Sequence, residues 1–211
     1  DDSPVMKAIF AHVGTIENPR DTEAIDQGIK AYTDGWNADK SGAEFTDYFL
    51  TASDRDEVLT IDEAKAINCY DKTKVSNGKI TCNVSGRRVL ERYLAKLGES
   101  NPAMKVGDDF QIAFEYTEPR QDAEGDKRPF WRTYYLERAV RLTGSAVSNA
   151  QATYDPTTGR PEVVVEFNRW GGRLFGDLTS QNVGKKMAII LDDKVSSAPI
   201  IQGAIRQGRS T

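Results

Sequence analysis

The sequence predicts an α+β fold: an antiparallel sheet with a helix packed on one face, preceded by a mainly helical amino-terminal segment. Three observations carry that expectation. Apolar residues recur at spacings of three and four through the first hundred positions. After residue 106, short aromatic and β-branched runs separated by turn residues take over. Near the carboxyl end the succession strand, strand, helix, strand, strand fits antiparallel pairing with a helix laid across the sheet. The chain divides accordingly into 1–105, helical apart from a hairpin at 69–82, and 106–211, the α+β core.

The elements follow in order. Asp21 or Thr22 can cap a helix whose apolar positions are Ile25, Ile29, Tyr32 and Trp36. Ser41-Gly42-Ala43-Glu44 has capping-box spacing ahead of Phe45, Tyr48 and Phe49, and Thr60-Ile61-Asp62-Glu63 repeats it before a short run ending near Ile67. Residues 85–97 place Val89, Leu90, Tyr93, Leu94 and Leu97 on one helical face, and Gly98 stands where a left-handed terminator is wanted. Ser76-Asn77-Gly78-Lys79 carries the Asn-Gly pair of a type I′ hairpin turn. Simple ladder pairing from that turn puts Cys82 opposite Thr73. A Cys69–Cys82 bridge therefore requires Cys69 to leave the ladder and fold back, because bridged Cα atoms lie within about 7 Å. In an oxidising compartment the bridge is expected; the alternative is two buried free thiols.

Strands are expected at 110–116 and 130–136, around a polar charged loop at 119–129. Two more, 147–154 and 162–167, flank the turn cluster Asp155-Pro156-Thr157-Thr158-Gly159. Gly171-Gly172 opens a short helix with Leu174, Phe175 and Leu178 on one side, and Gly184 marks its end. A last hairpin spans 186–191 and 195–201 around Asp192-Asp193.

Composition removes several function classes. Across 211 residues, 28 basic and 32 acidic side chains are intermixed and leave a net charge of −4, which gives no footprint for nucleic acid. The longest apolar run, Met187-Ala188-Ile189-Ile190-Leu191, falls far short of the roughly 20 residues a membrane helix needs. One histidine, His12, leaves no multi-histidine metal site, and it is expected to be a surface or packing residue. Gly176 through Gly184-Lys185 fails the phosphate-loop spacing, and Asp54-Arg55-Asp56 lacks the glycine and third ligand of a calcium loop. Arg87, Arg88, Arg92 and Lys96 read as the solvated face of an amphipathic helix. Asp192-Asp193 is a turn, poorly suited to acid–base chemistry. No enzyme activity, cofactor or metal is expected; the residues themselves indicate a binding or mechanical domain.

The carboxy-terminal third adds a resemblance. It reads Tyr134-Tyr135-Leu136-Glu137-Arg138, Leu142-Thr143-Gly144 and Pro161-Glu162-Val163-Val164-Val165-Glu166-Phe167. It continues Gly172-Arg173-Leu174-Phe175-Gly176-Asp177-Leu178-Thr179-Ser180-Gln181-Asn182-Val183-Gly184-Lys185 and Ala188-Ile189-Ile190-Leu191-Asp192-Asp193-Lys194-Val195-Ser196-Ser197-Ala198-Pro199-Ile200-Ile201. This succession resembles the head region of the large periplasmic domain of SecD, the membrane subunit of the bacterial SecDF protein-export family. Residues 5–130 have no counterpart in it, Trp170-Gly171 replaces a small polar or acidic pair, and Asp193 replaces a glycine at the hairpin tip.

The resemblance implies the periplasmic domain of a bacterial inner-membrane protein, cut from a longer chain. It implies partnership with SecF and the SecYEG channel, and contact with emerging unfolded preprotein during late, proton-gradient-driven translocation. Trp170, Leu174 and Phe175 are the candidate preprotein contacts, because a Gly-Gly helix start can expose neighbouring aromatics; Leu174 and Phe175 can equally pack the helix onto the sheet. The competing expectation is a periplasmic interaction module that docks other envelope or export proteins through the helical insert.

Overall fold

The computed structural model describes residues 3–37, 44–118 and 128–210. Helix α1, Pro4–Val13, is capped by Ser3 and buries Met6, Ile9 and Val13. Asp21 caps the short helix α2, Thr22–Asp26, by accepting from the Glu23 N–H. The same carboxylate accepts the buried Tyr93 hydroxyl at 2.5 Å and lies 3.4 Å from His12 Nε2, so the lone histidine borders a capping cluster.

From residue 30 the helical spacing gives way to strands. Gly28 adopts φ +68° directly after α2, and the chain leaves it as β1, Lys30–Asn37. Strand β2, Glu44–Ser53, pairs with it antiparallel, placing Tyr32 opposite Phe49 and Trp36 opposite Phe45. The helices expected through Trp36 and from Glu44 onward are corrected to strands. A spacing of four repeats a strand face as well as a helical one, and aromatic and β-branched residues favour the pleated form. The proposed cap residues Ser41, Gly42 and Ala43 lie outside the described residues. The α+β class stands, but the amino-terminal expectation of mainly helix is amended.

Strand β3, Arg55–Thr60, runs into helix α3, Ile61–Ala66, through the expected capping box between Thr60 and Glu63. Strand β4, Lys79–Val84, pairs with β3. The Asn77-Gly78 turn forms as expected, with φ 49° and 72° and a Ser76↔Lys79 bridge, but residues 72–74 coil into a 3₁₀ turn instead of extending the hairpin. Cys69 folds back, its Cα 6.0 Å from that of Cys82, and the two are disulfide-bonded. Helix α4, Gly86–Ser100, buries the five predicted positions. It runs through Gly98, beside the Lys105 backbone, and ends at Asn101.

Strands β5, Phe110–Thr117, and β6, Phe130–Glu137, complete a four-stranded sheet of order β1-β2-β6-β5. Helices α1 and α4 cover its inner face, where Leu50, Ala52, Phe114, Trp131 and Thr133 are buried. The Thr133 hydroxyl accepts from the Leu50 N–H and stitches β6 to β2 within that core. Two strands of this sheet come from before residue 105 and two from after it, so the sheet runs across the 105/106 division. Most of the predicted polar loop, residues 119–127, lies outside the described residues.

A second sheet of order β11-β8-β7 comprises β7, Val147–Tyr154, β8, Pro161–Phe167, and β11, Arg209–Ser210. Helix α5, Arg169–Gln181, packs on it. Strands β9, Ile189–Leu191, and β10, Lys194–Ser197, form the last hairpin. Its two turn residues, Asp192 and Asp193, both take positive φ, which Asp tolerates better than most residues.

Among the described residues no helix is long and apolar enough to cross a membrane, and no group of three or more His, Cys, Asp and Glu could hold a metal ion. The disulfide closes a 13-residue separation and should contribute about 2–4 kcal/mol by restricting the unfolded chain. Urea unfolding with and without reductant is expected to show that loss; an unchanged midpoint would contradict it.

Candidate functional site

The outer face of the four-stranded sheet, opposite α1 and α4, carries an aromatic and charged surface. Strand alternation sends Tyr32, Asp34 and Trp36 of β1, Asp47 and Phe49 of β2, and Arg132 and Tyr134 of β6 to this side. Tyr32 stacks on Phe49 with ring centroids 5.6 Å apart, and Trp36 stacks on Phe45 at 5.7 Å. The Arg132 guanidinium lies 3.7 Å over the Phe49 ring and 4.8 Å from that of Tyr134, a cation–π sandwich. Its buried Nε has no hydrogen-bond partner among the described residues.

The segment after α5 is fastened onto this face. Lys186 Nζ donates to Asp34 Oδ2 at 2.9 Å and to Asp47 Oδ2 at 2.5 Å, and lies 4.2 Å over the Trp36 ring. Trp36 Nε1 donates to the Gly184 carbonyl at 2.7 Å. Arg132 completes the cluster, 3.9 Å from each of the two carboxylates. Lys186, Arg132 and the two carboxylates thus meet beside the aromatic rings. Burial pushes the Asp47 carboxyl up, but hydrogen bonds and neighbouring positive charge, the Lys186 bond first among them, outweigh it and hold the group below the usual carboxylate range. Burial, with Glu115 accepting from its hydroxyl, drives the Tyr134 phenol well above its ordinary value.

Helix α5 is set on the other side of this clasp. The Asn168 side chain accepts from the Gly171 N–H at 2.8 Å and caps the helix. A Cβ at Gly171 would stand 2.6 Å from Ala146 Cβ, so only glycine lets the helix sit this tightly on the 144–146 turn. Phe175 is 3% exposed and packs on Phe167 with ring centroids 4.5 Å apart. Leu174 and Leu178 face away from that contact into an open groove of about 1070 Å³.

This groove runs between α5, the 138–143 loop and the β9–β10 hairpin. Val140 and Leu142 line the loop wall and Met187 and Ile190 the hairpin wall; Phe49, Arg132 and Tyr134 form part of its floor. Those three floor residues also border a second concavity of about 820 Å³ that reaches Ile25 and Phe130, so the two hollows adjoin across the sheet. Charges of both signs, Asp177 and Asp193 with Arg138, Arg141 and Lys185, are set around the aliphatic walls. Such a lining suits an apolar chain segment of mixed sequence better than a ligand of one charge.

The three candidate contacts from the sequence end in three environments. Leu174 lines the groove, Trp170 is 58% exposed at the start of α5 outside the groove lining, and Phe175 is core, presenting nothing to a partner. Sequence reasoning missed Phe49, Arg132 and Tyr134, because the alternation that gathers them is visible only once β1 and β2 are strands. Ile190 lies in the longest apolar run of the chain, a signal that was legible.

Residues 117–211 match the family described as SecDF, P1 head subdomain. The chain is 33% identical over 129 residues to the protein translocase subunit SecD of Desulfurispirillum indicum, covering 61% of this chain and 22% of that protein. It is 46% identical over 76 residues to the SecD of Elusimicrobium minutum, covering 36% and 16%. A solved structure of SecDF described as a membrane component that enhances protein export aligns over 77% of this chain and 84% of that one, at 20% identity and a TM-score of 0.32. The chain therefore spans only about a fifth of the length of these SecD relatives.

Removing the clasp has a signed pH consequence. The Asp47 pKa is lower folded than unfolded, so its contribution is full above about pH 4 and fades as pH falls through the depressed value. Asp47→Asn is expected to lose about 1.5–3 kcal/mol at pH 7. In urea unfolding at pH 7 and pH 3, the gap between variant and parent should narrow at pH 3; an equal gap at both would refute the assignment. Residues 117–211, with their two hairpins and a helix, thus match the SecDF P1 head subdomain, and the chain is similar to these SecD relatives over part of its length.

Proposed function

We propose that this chain is the substrate-handling head of a SecD-type export subunit, placed on the periplasmic side of a bacterial inner membrane. It acts beside SecF and the SecYEG channel, holding emerging unfolded preprotein during late translocation. The energy comes from the proton gradient through parts of the protein outside this chain. The observation that carries the proposal is the open groove, whose helix, loop and hairpin walls each set aliphatic side chains among charged and polar ones. Unfolded chains offer scattered apolar side chains and free main-chain groups, and such a groove holds them weakly without demanding a sequence.

Leu174 and Leu178 are the contact residues on the helix, with Trp170 as an exposed aromatic at its end. Residues 30–53 supply part of the floor, which joins the amino-terminal segment to the same task rather than to a separate docking role. Leu174→Asp with Leu178→Asp in the full-length protein is expected to slow export of a secreted reporter severalfold while the thermal midpoint of the purified protein changes little. Unchanged export in a folded double variant would overturn the proposal.

A further inference from the structure

Edge strands in soluble proteins are normally blunted by lysine, proline or a covering element, because a bare edge invites pairing with another chain. Strand β9 has none of these along its central residues. Its strand partner among the described residues is β10 alone. Its three residues Ile189, Ile190 and Leu191 are 48%, 47% and 67% exposed, so aliphatic side chains stand in solvent on both faces of the strand.

The hairpin is a firm platform despite that exposure. Val195 of β10 is buried, the strand lies against β5, and the Asp193 carbonyl accepts from Arg87. On the inner side of the hairpin, Met187 N–H donates to the Pro199 carbonyl and Ile201 N–H to that of Lys185. Ile189 pairs with Ser197 and Leu191 with Lys194 in the same ladder. Alternation then turns the main-chain groups of Ala188 and Ile190 outward, away from β10. Both residues also line the groove, so the open edge and the aliphatic walls border the same space.

We infer that polypeptide in the groove is taken up as an added β-strand on the outer edge of β9. This rests on the groove being the preprotein contact and specifies how the segment is held. The occupant is an extended stretch of about five residues with aliphatic side chains at alternate positions, since roughly 3.3 Å per residue matches the run from residue 187 to 191. Side chains on one face of the added strand reach towards Leu174 and Leu178. The charged ends of the edge are complementary to a segment basic at one end and acidic at the other, with Asp193 beside the hairpin tip and Lys185 at the opposite end. Main-chain pairing supplies affinity without reading sequence, which suits a partner whose sequence varies.

The test uses a fluorescent nine-residue peptide of alternating Val and Thr, with Lys at its amino end and Glu at its carboxyl end. Two isomers are N-methylated on alternate residues, one on each edge of the strand, and binding to the protein is read by anisotropy. Strand addition predicts that one isomer loses about tenfold or more in affinity while the other stays close to the parent peptide. Equal behaviour of the two isomers, whether both bind or both fail, overturns strand addition and leaves the groove proposal standing if the parent binds. Failure of the parent peptide itself overturns both.

Discussion

The clasp at Lys186 is the interaction on which the rest of this arrangement depends. One ammonium, two carboxylates and the Arg132 guanidinium meet on the outer face of the sheet, with Trp36 under Lys186 and Phe49 under Arg132; Asp47 is largely buried and Asp34 half exposed. Around the largely buried Asp47 the low local dielectric strengthens the attraction, and Lys186 supplies the opposite charge that its burial requires. The Trp36 bond to Gly184 fixes the same segment through its main chain. Together with the contact of β10 on β5, this fastening sets the stretch between α5 and β9 on the sheet beside the groove.

The clasp also joins the two parts of the chain. Asp34, Asp47, Trp36 and Phe49 come from strands that precede the family match, whereas Arg132, Tyr134, Gly184 and Lys186 fall within it. The region that matches the head subdomain thus builds its groove partly on a floor supplied by residues before 117. The sheet makes this possible by using its two faces differently. Leu50, Phe114 and Trp131 spend the inner face on the helical core, and the outer face is left free for polar and aromatic residues that would be costly inside. Helix α5 follows the same economy of faces, with Phe175 turned into its sheet and Leu174 and Leu178 into the groove.

Much of this was legible from the residues. The carboxy-terminal strands, the α5 apolar face, the capping box at Thr60 and the Asn77-Gly78 turn are all set by local chemistry, and they form where that chemistry puts them. Ladder geometry showed that a Cys69–Cys82 bridge requires Cys69 to leave the hairpin, and the bridged chain does fold back there. What was not legible depended on pairing between distant segments. Tyr32, Trp36, Phe45 and Phe49 have a spacing compatible with either a helix or a strand, and only the partnership of β1 with β2, and of β2 with β6, decides between them. The groove inherits that ambiguity, because Phe49 and Arg132 become neighbours through a pairing that no local signal announces. Trp170 and Phe175 are both aromatics close to a glycine pair, yet packing turns one outward and the other into the core.

The central claim is that polypeptide lies in the groove between α5, the 138–143 loop and β9. It is tested most directly by site-specific photo-crosslinking in the full-length protein, with a translocating preprotein arrested part-way through the membrane. A photoreactive residue at Leu178, on the groove wall, is compared with one at Tyr154, which is 70% exposed on β7 and outside the groove lining. The account predicts a preprotein adduct from position 178 and little or none from position 154. Adducts from position 154 without any from position 178 would contradict it.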